Sequence, residues 1–420
     1  MKQIARDIYL KRLIDSRGNG LIKVITGIRR CGKSYLLDPI FKDYLLKRGV
    51  STDHIVHLNL ETRENKSLTD PDALDGFIRS RIKDDARYYV LLDEIQLVAD
   101  FESVLNGFLH LPNLDVYVTG SNSRFLSSDI VTEFRGRSYE IHLYPLSFAE
   151  FISVYDGSRE QGWSDYYRYG GLPQVLAMPT ESDKMAFLGS QWSNVYLNDL
   201  VERYHLRNRA ELDSLVEVIA SSAGSLTNPH KLERSFKSMA NVSLDLDHNT
   251  ISDYLTKLEE AFIVEKSKRY DVKGKKYINT PSKYYFTDSG VRNACLGFRQ
   301  MEENHIMENT IYIELRRRGY QVDIGVVSAR DGNDRRQYEV DFVANRGDRT
   351  LYIQSALTIS DPDKRAQESR SLSEIDDHFA KIIIVKDATG VGHERNGIIT
   401  MGLFDFLLEG GHLDNALALW

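Results

Sequence analysis

Cysteine is almost missing from this chain: Cys31 and Cys295 are the only two among 420 residues. Two thiols exclude a disulfide framework and cannot build a zinc site alone. A reducing cytoplasm is the expected home. Long apolar runs are also missing, and none reaches the roughly 18 residues that span a bilayer. The first segment, MKQIARDIYLKRLI, lacks the unbroken apolar core of a signal peptide. It reads as an amphipathic helix leading into the first strand, and no membrane partner is expected. Positive charge is not in excess. Fifty-four Lys and Arg face 61 Asp and Glu, a net charge of −7. That excludes a uniformly basic protein that coats nucleic acid, while leaving room for a local basic surface. Repeats and low-complexity tracts are absent. What remains, 42% hydrophobic and 27% charged, is the balance of a soluble globular protein. The length calls for two or three domains.

The most informative stretch is VITGIRRCGKSYLL, residues 24–37. LIKVIT before the loop is a β-branched apolar run, hence a buried strand. YLLDPIFKDYLLKRG after it has helical spacing and stops at Gly49. Strand, G-x-x-x-x-G-K-S loop and helix form the context of a phosphate cradle. The cradle spans Gly27, Ile28, Arg29, Arg30, Cys31, Gly32, Lys33, Ser34 and Tyr35. Glycines let the backbone wrap phosphates, whose charge the loop N–H groups and helix N-terminus attract. Lys33 is expected at the β/γ-phosphates of ATP, and the Ser34 hydroxyl on Mg²⁺.

A partner motif follows about sixty residues later. YYVLLDEIQ is a second buried strand ending in Asp93 and Glu94. Asp93 is expected to hold the Mg²⁺, and Glu94 to polarise the attacking water. A third strand, DVYVTGSNS, ends in Ser121, Asn122 and Ser123, where Ser121 or Asn122 would sense the γ-phosphate. A fourth, VHLNLE, ends at Asn59 and Glu61, either of which would couple to the water-activating glutamate or simply cap the strand. Arg135 and Arg137 flank a glycine in EFRGRSYE. A guanidinium inserted into a neighbouring molecule's site would neutralise developing phosphate charge, which requires an oligomer. The competing reading is a surface turn with two solvated arginines.

Together, GIRRCGKSYLL, VLLDEIQ, VTGSNS, FRGRSYEIHLYPLSFAEF and YGGLPQVL resemble a large family of bacterial and archaeal AAA-type ATPases. Their C-terminal domain has long been catalogued as of unknown function. The resemblance covers nearly the whole chain. It implies an ATPase core with an additional strand and a catalytic glutamate, and a homo-oligomer, with a hexameric ring as one form.

Beyond GGLPQVL the pattern turns helical. Three helical segments precede YDVKGKKYINTPSKYYFTD, two strands around a Gly-Lys-Lys turn. Three helices and a hairpin make a winged helix-turn-helix, with NTISDYLTKLEEAF as recognition helix, capped by Asn249 or Thr250. The hairpin carries Lys266, Lys268, Arg269, Lys273, Lys275, Lys276 and Lys283 among tyrosines. Lysines make phosphate contacts and tyrosines stack on unpaired bases, so DNA is the expected partner. Asp253, Glu259 and Glu260 on the recognition helix argue against deep major-groove reading. The alternative is a solvated hairpin or a packing module.

The C-terminal order of helix, strand, hairpin and further strands resembles the restriction-endonuclease-like fold. That fold places a helix carboxylate, a strand Asp and a later Glu-x-Lys around a metal. Glu308 and Asp341 match the first two positions, but the third reads Gln354-Ser355-Ala356. Gln354 is a neutral ligand, and Ala356 cannot orient water. Lys364 is the nearest displaced substitute in sequence. A degenerate nuclease fold used for binding is therefore expected.

The expected fold class is α/β. It comprises a P-loop AAA-type parallel-sheet ATPase core over residues 1–155 and a helical lid or connector over 156–205. A winged helix-turn-helix over 206–292 and a degenerate endonuclease-like α/β domain over 293–420 complete it. The expected function is Mg²⁺-dependent ATP hydrolysis that remodels or translocates on DNA. A nucleotide-controlled switch that binds a protein partner is the alternative, and an ATP-driven nuclease a third.

Overall fold

Ile22–Thr26 (β1) is buried at every position, as an apolar β-branched run in the middle of a sheet must be. Tyr88–Asp93 (β3) is equally buried. The structure, a computed structural model, describes residues 3–120, 134, 136–206, 208–238, 246–331, 334–388, 390–393, 397–408 and 413. The chain divides into two compact units, one of residues Met1–Pro145 with Glu260–Phe262, the other of Leu146–Glu259 with Ile263–Trp420.

In the first unit, Ile55–Asn59 (β2), Leu114–Thr119 (β4) and Ser138–His142 (β5) join β1 and β3 in one sheet, ordered β2-β3-β4-β1-β5. Every pairing is parallel. The strand β4 separates β1 from β3, the additional strand that the family resemblance implies. Parallel strands end on one edge, so Thr26, Asp93 and Thr119 lie side by side there. One core cluster contains Val24, Leu92 and Val118 from the strands, with Leu74 and Ile78 of helix Pro71–Arg81 and Phe101 and Phe108 of helix Phe101–Phe108.

The helix expected to run unbroken from the loop to Gly49 is interrupted. Asp38 is extended (φ −137°, ψ 114°) and Pro39 follows. The residue before proline avoids the helical region, and proline has no N–H to donate. Helix resumes and runs through Lys42–Lys47. The released Asp38 carboxylate pairs with Lys42 at 2.8 Å and with His57 at 2.9 Å.

In the second unit, helices lead into an eight-stranded mixed sheet. Its strands are Val264–Asp271 (β6), Lys276–Phe286 (β7), Gln321–Asp331 (β8), Asp334–Arg346 (β9), Arg349–Ala356 (β10), Ala380–Val385 (β11), Val391–His393 (β12) and Ile398–Gly402 (β13). The order is β12-β13-β11-β10-β9-β8-β6-β7. Helices Arg209–Ser221, Pro229–Ser238 and His248–Glu260 precede the β6–β7 hairpin as the sequence suggests. The hairpin is not a free wing, because β6 pairs in parallel with β8. One continuous sheet therefore spans the expected boundary at residue 292, and a division there would cut it in two. Helix His248–Glu260 is capped by Asp247, whose Oδ1 accepts the Thr250 N–H at 2.7 Å, rather than by Asn249 or Thr250.

The YGGLP segment is held by backbone proximity. Gly171 N–H donates to Asp288 at 2.7 Å, and a methyl on Gly171 would lie 2.3 Å from the Leu146 carbonyl oxygen. A methyl on Gly290 would lie 2.1 Å from the Tyr169 carbonyl oxygen. Burial pushes the Asp288 carboxyl up to about 6, against the pull of N–H donors from Val291 and Gly171.

Candidate functional site

After Thr26 the chain turns at Gly27 (φ 139°), where a methyl would sit 2.1 Å from the Leu143 carbonyl oxygen. Only glycine fits. Left-handed backbone at Arg30 (φ 66°) and Gly32 (φ 104°) completes the loop and starts the helix at Lys33. Lys33 is 4% exposed, and its Nζ donates to the carbonyls of Gly27 at 3.0 Å and Ile28 at 3.2 Å. Among the described residues no carboxylate pairs with it. Ser34 and Tyr35 stand exposed beside it, and Ile28 is buried. Cys31 is buried with Sγ 3.3 Å from the Leu143 oxygen, and burial raises its thiol pKa, which marks a packing residue. Arg6 supports the loop from behind through the Cys31 and Tyr144 carbonyls. Arg29 reaches Glu61 at 3.9 Å, a largely exposed pair of little energetic weight.

Across the sheet edge, Asp93 is 1% exposed and accepts a hydrogen bond from the Thr119 hydroxyl. The same hydroxyl accepts the Glu94 N–H at 3.0 Å. Glu94 itself is left-handed (φ 57°), a strained position for a residue with a side chain, at about 1–3 kcal/mol. Its carboxylate accepts a hydrogen bond from the Gln96 amide. Thr119 and Gln96 are functional neighbours that the sequence reading passed over. Their signals were a polar residue closing an apolar strand and an amide two residues past the glutamate. With β4 between β1 and β3, Thr26 and Asp93 stand about 10 Å apart, two strand spacings. The loop ammonium and exposed hydroxyl thus stand at the same sheet edge as the buried carboxylate, two strands over. This donor set fits a nucleotide and a hard cation.

Other expected residues fall elsewhere. Asn59 spends its side chain on its own turn, accepting the Glu61 N–H at 2.9 Å. Its carbonyl accepts from Asn65 at 2.8 Å. Ser121, Asn122, Ser123 and Arg135 lie outside the described residues. Arg137 is exposed, and its carbonyl accepts the Ile22 N–H at 3.0 Å, where β1 begins. That is the opposite sheet edge, about 13 Å of strand away from the loop.

On the hairpin, Lys266, Lys268, Lys273, Lys275 and Lys276 are exposed and Arg269 is half-buried. Lys273 and Lys275 line an open cavity of about 910 Å³ with Tyr270, Tyr277 and Tyr352. Acids border it too: Tyr277 donates to Asp323 at 3.1 Å and Tyr352 to Asp377 at 2.7 Å.

Lys283 departs from this group. It is 3% exposed and cannot present itself to a phosphate backbone. Its Nζ lies 2.9 Å from Glu308 and 2.8 Å from Glu339. Tyr285 donates to the same Glu308 oxygen at 2.7 Å. Burial opposes the Lys283 charge, but Glu308, Asp341 and Glu339 outweigh it, so its pKa is raised. Burial and then Glu308 push the Asp341 carboxyl up, while Lys283 opposes. Asp341 accepts the Ser355 N–H at 2.8 Å and donates its own N–H to Gln354 at 3.2 Å. The structure therefore brings Glu308, Asp341, Gln354 and Lys283 together. Lys364, the displaced lysine considered as a substitute, acts on Glu368.

Residues 19–152 match a family described as an AAA domain, and residues 160–302 match a domain of unknown function. The chain is 35% identical over 415 residues to an uncharacterized protein of Haemophilus influenzae, covering 97% of this chain and 99% of that one. An uncharacterized protein of Methanocaldococcus jannaschii is 27% identical over 382 residues, covering 87% and 80%. Among solved structures, a Walker-type ATPase of Pyrococcus abyssi matches with a TM-score of 0.46 at 15% identity, covering 70% of this chain and 96% of that one.

Proposed function

The chain belongs to one family with the Haemophilus influenzae relative, and its residues 19–152 match an AAA domain; on that premise we propose that it is a cytoplasmic Mg²⁺-dependent ATPase that acts on DNA. The observation that carries the ATPase reading is the buried Lys33 ammonium, held by two neutral carbonyls opposite Asp93. Phosphate oxygens are stronger acceptors for a cation than backbone carbonyls, so ATP would draw Lys33 outward. Ser34 and Asp93 are the residues that would hold Mg²⁺, which when bound neutralises charge on the β- and γ-phosphates. Thr119 holds Asp93 still, and Gln96 orients Glu94 for water polarisation. Ser121 or Asn122 would sense the γ-phosphate. Arg137 stands too far from its own loop to reach it. It, or Arg135, would serve a neighbouring molecule in a homo-oligomer, a hexameric ring being one form.

The exposed lysines 266, 268, 273, 275 and 276, interleaved with tyrosines, support contact with DNA without sequence reading. The net charge of −7 and the acids around the tyrosine-lined cavity favour the alternative, a nucleotide-controlled switch with a protein partner. Nuclease chemistry is disfavoured by Gln354, Ala356 and the pinned Lys283.

Phosphate release measured with duplex, single-stranded and branched DNA, and without DNA, tests the proposal. The expected result is stimulation by one DNA form, with affinity falling steeply as salt rises. Glu94→Gln should bind ATP and lose turnover by about 100-fold or more. Normal hydrolysis by that variant would remove Glu94 from the water-activating role. Absence of DNA binding would leave the switch.

A further inference from the structure

Two helix starts meet in the second unit. His230 and Glu233 stand three residues apart in helix Pro229–Ser238, on one face. His248 is the first residue of helix His248–Glu260. Asn228 caps the first helix through the Lys231 N–H at 2.8 Å, and Asp247 caps the second. The caps fix where each first turn begins, and so where each imidazole points.

The three side chains converge. His230 Nδ1 is 3.9 Å and His248 Nδ1 3.5 Å from Glu233 Oε2. The imidazole centroids are 4.3 Å apart at 29°. A ligand atom from each residue lies within 4.8 Å of the other two. Lys237 grips the other carboxylate oxygen, Oε1, at 2.6 Å. That contact leaves Oε2 turned toward the two rings, the kind of outer contact that orients a metal ligand. Nitrogen and oxygen ligands at about 2.0–2.1 Å in a tetrahedron stand about 3.3–3.4 Å apart. The His248–Glu233 separation would close by about 0.2 Å, the His230–Glu233 one by about 0.6 Å, and the two imidazole nitrogens by up to about 1.5 Å. The glutamate charge also offsets the partial positive charge of the two helix starts.

We propose that His230, Glu233 and His248 form a site for a divalent cation of the zinc class, with water in the open fourth position. Two imidazoles and one carboxylate suit Zn²⁺ or Co²⁺ and not the harder Mg²⁺ or Ca²⁺. The cation ties the first turns of two helices that the chain joins through residues 239–247. All three residues belong to the second unit, and the proposal does not depend on the nucleotide chemistry.

The test uses the full chain, stripped with chelator and free of nucleotide. Co²⁺ is titrated by its visible absorption, and Zn²⁺ by displacement of Co²⁺. One equivalent is expected to bind with the strong absorption of a four-coordinate ion. His248→Ala and Glu233→Gln should each weaken binding at least tenfold. Zn²⁺ should raise the melting temperature of the unaltered chain and leave that of His248→Ala unmoved. No binding at micromolar cation, or binding undiminished in both variants, overturns the proposal.

Discussion

Lys33 in the phosphate loop and Lys283 on β7 are equally buried, at 4% and 3% exposed, yet keep opposite company. Lys33 is held by two backbone carbonyls, which carry no net charge to cancel its own. Lys283 is held by two carboxylates, with a third nearby. The first ammonium can be drawn away by a better anion. The second is already neutralised, and moving it would strand buried negative charge. Burial alone therefore says nothing of whether a lysine works or merely holds. The charge of its partners decides.

The contrast can be broken most forcefully at Lys33. Lys33→Ala should lower phosphate release by about 100-fold or more, the scale of losing one donor to developing charge. All three tryptophans, at 163, 192 and 420, belong to the second unit, so fluorescence-monitored unfolding should not change. Lys283→Met should do the reverse. Turnover should hold within a few-fold, while the second unit loses about 3–5 kcal/mol, the cost of an uncompensated buried charge. The loss should shrink on acidification, because the abandoned carboxylates can then take up protons. Equal losses of turnover in both variants would end the distinction.

Asp288 sharpens the comparison with the smallest effect. It is a buried charge held by backbone N–H groups, and its pKa is pushed up to about 6 by burial. The folded state keeps this proton more tightly than the unfolded chain does. Its contribution to stability is fully present below about pH 4 and is lost as pH rises through 6, by roughly 3 kcal/mol at most. Urea unfolding followed by tryptophan fluorescence across that window checks it. Asp288→Asn should flatten the pH slope.

The nucleotide loop and the Asp93–Glu94 pair were legible because their signals are local: a strand, a turn and a helix in one short run. The break at Asp38 was missed although a proline stands beside it, because the helical spacing of the apolar residues hid it. Thr119 required pairing information. Only the β3–β4 neighbourhood shows that this hydroxyl meets Asp93. Lys283 was misread for a related reason. Charge on a hairpin suggests solvent, but its partners come from a helix and a strand 25 and 56 residues further on. Its neighbours Tyr284, Tyr285 and Phe286 form a buried run, which was the available warning.

The contact between the GGLP segment and Gly290 has a consequence for how this sequence can drift. Where two side chains collide, a second substitution can shrink one and restore the fit. Here the obstacle facing a methyl on Gly171 is the Leu146 carbonyl, and facing one on Gly290 it is the Tyr169 carbonyl. A carbonyl belongs to every amino acid alike, so no neighbouring replacement can make room. These glycines have no suppressors within reach, and divergence in this unit must pass around them.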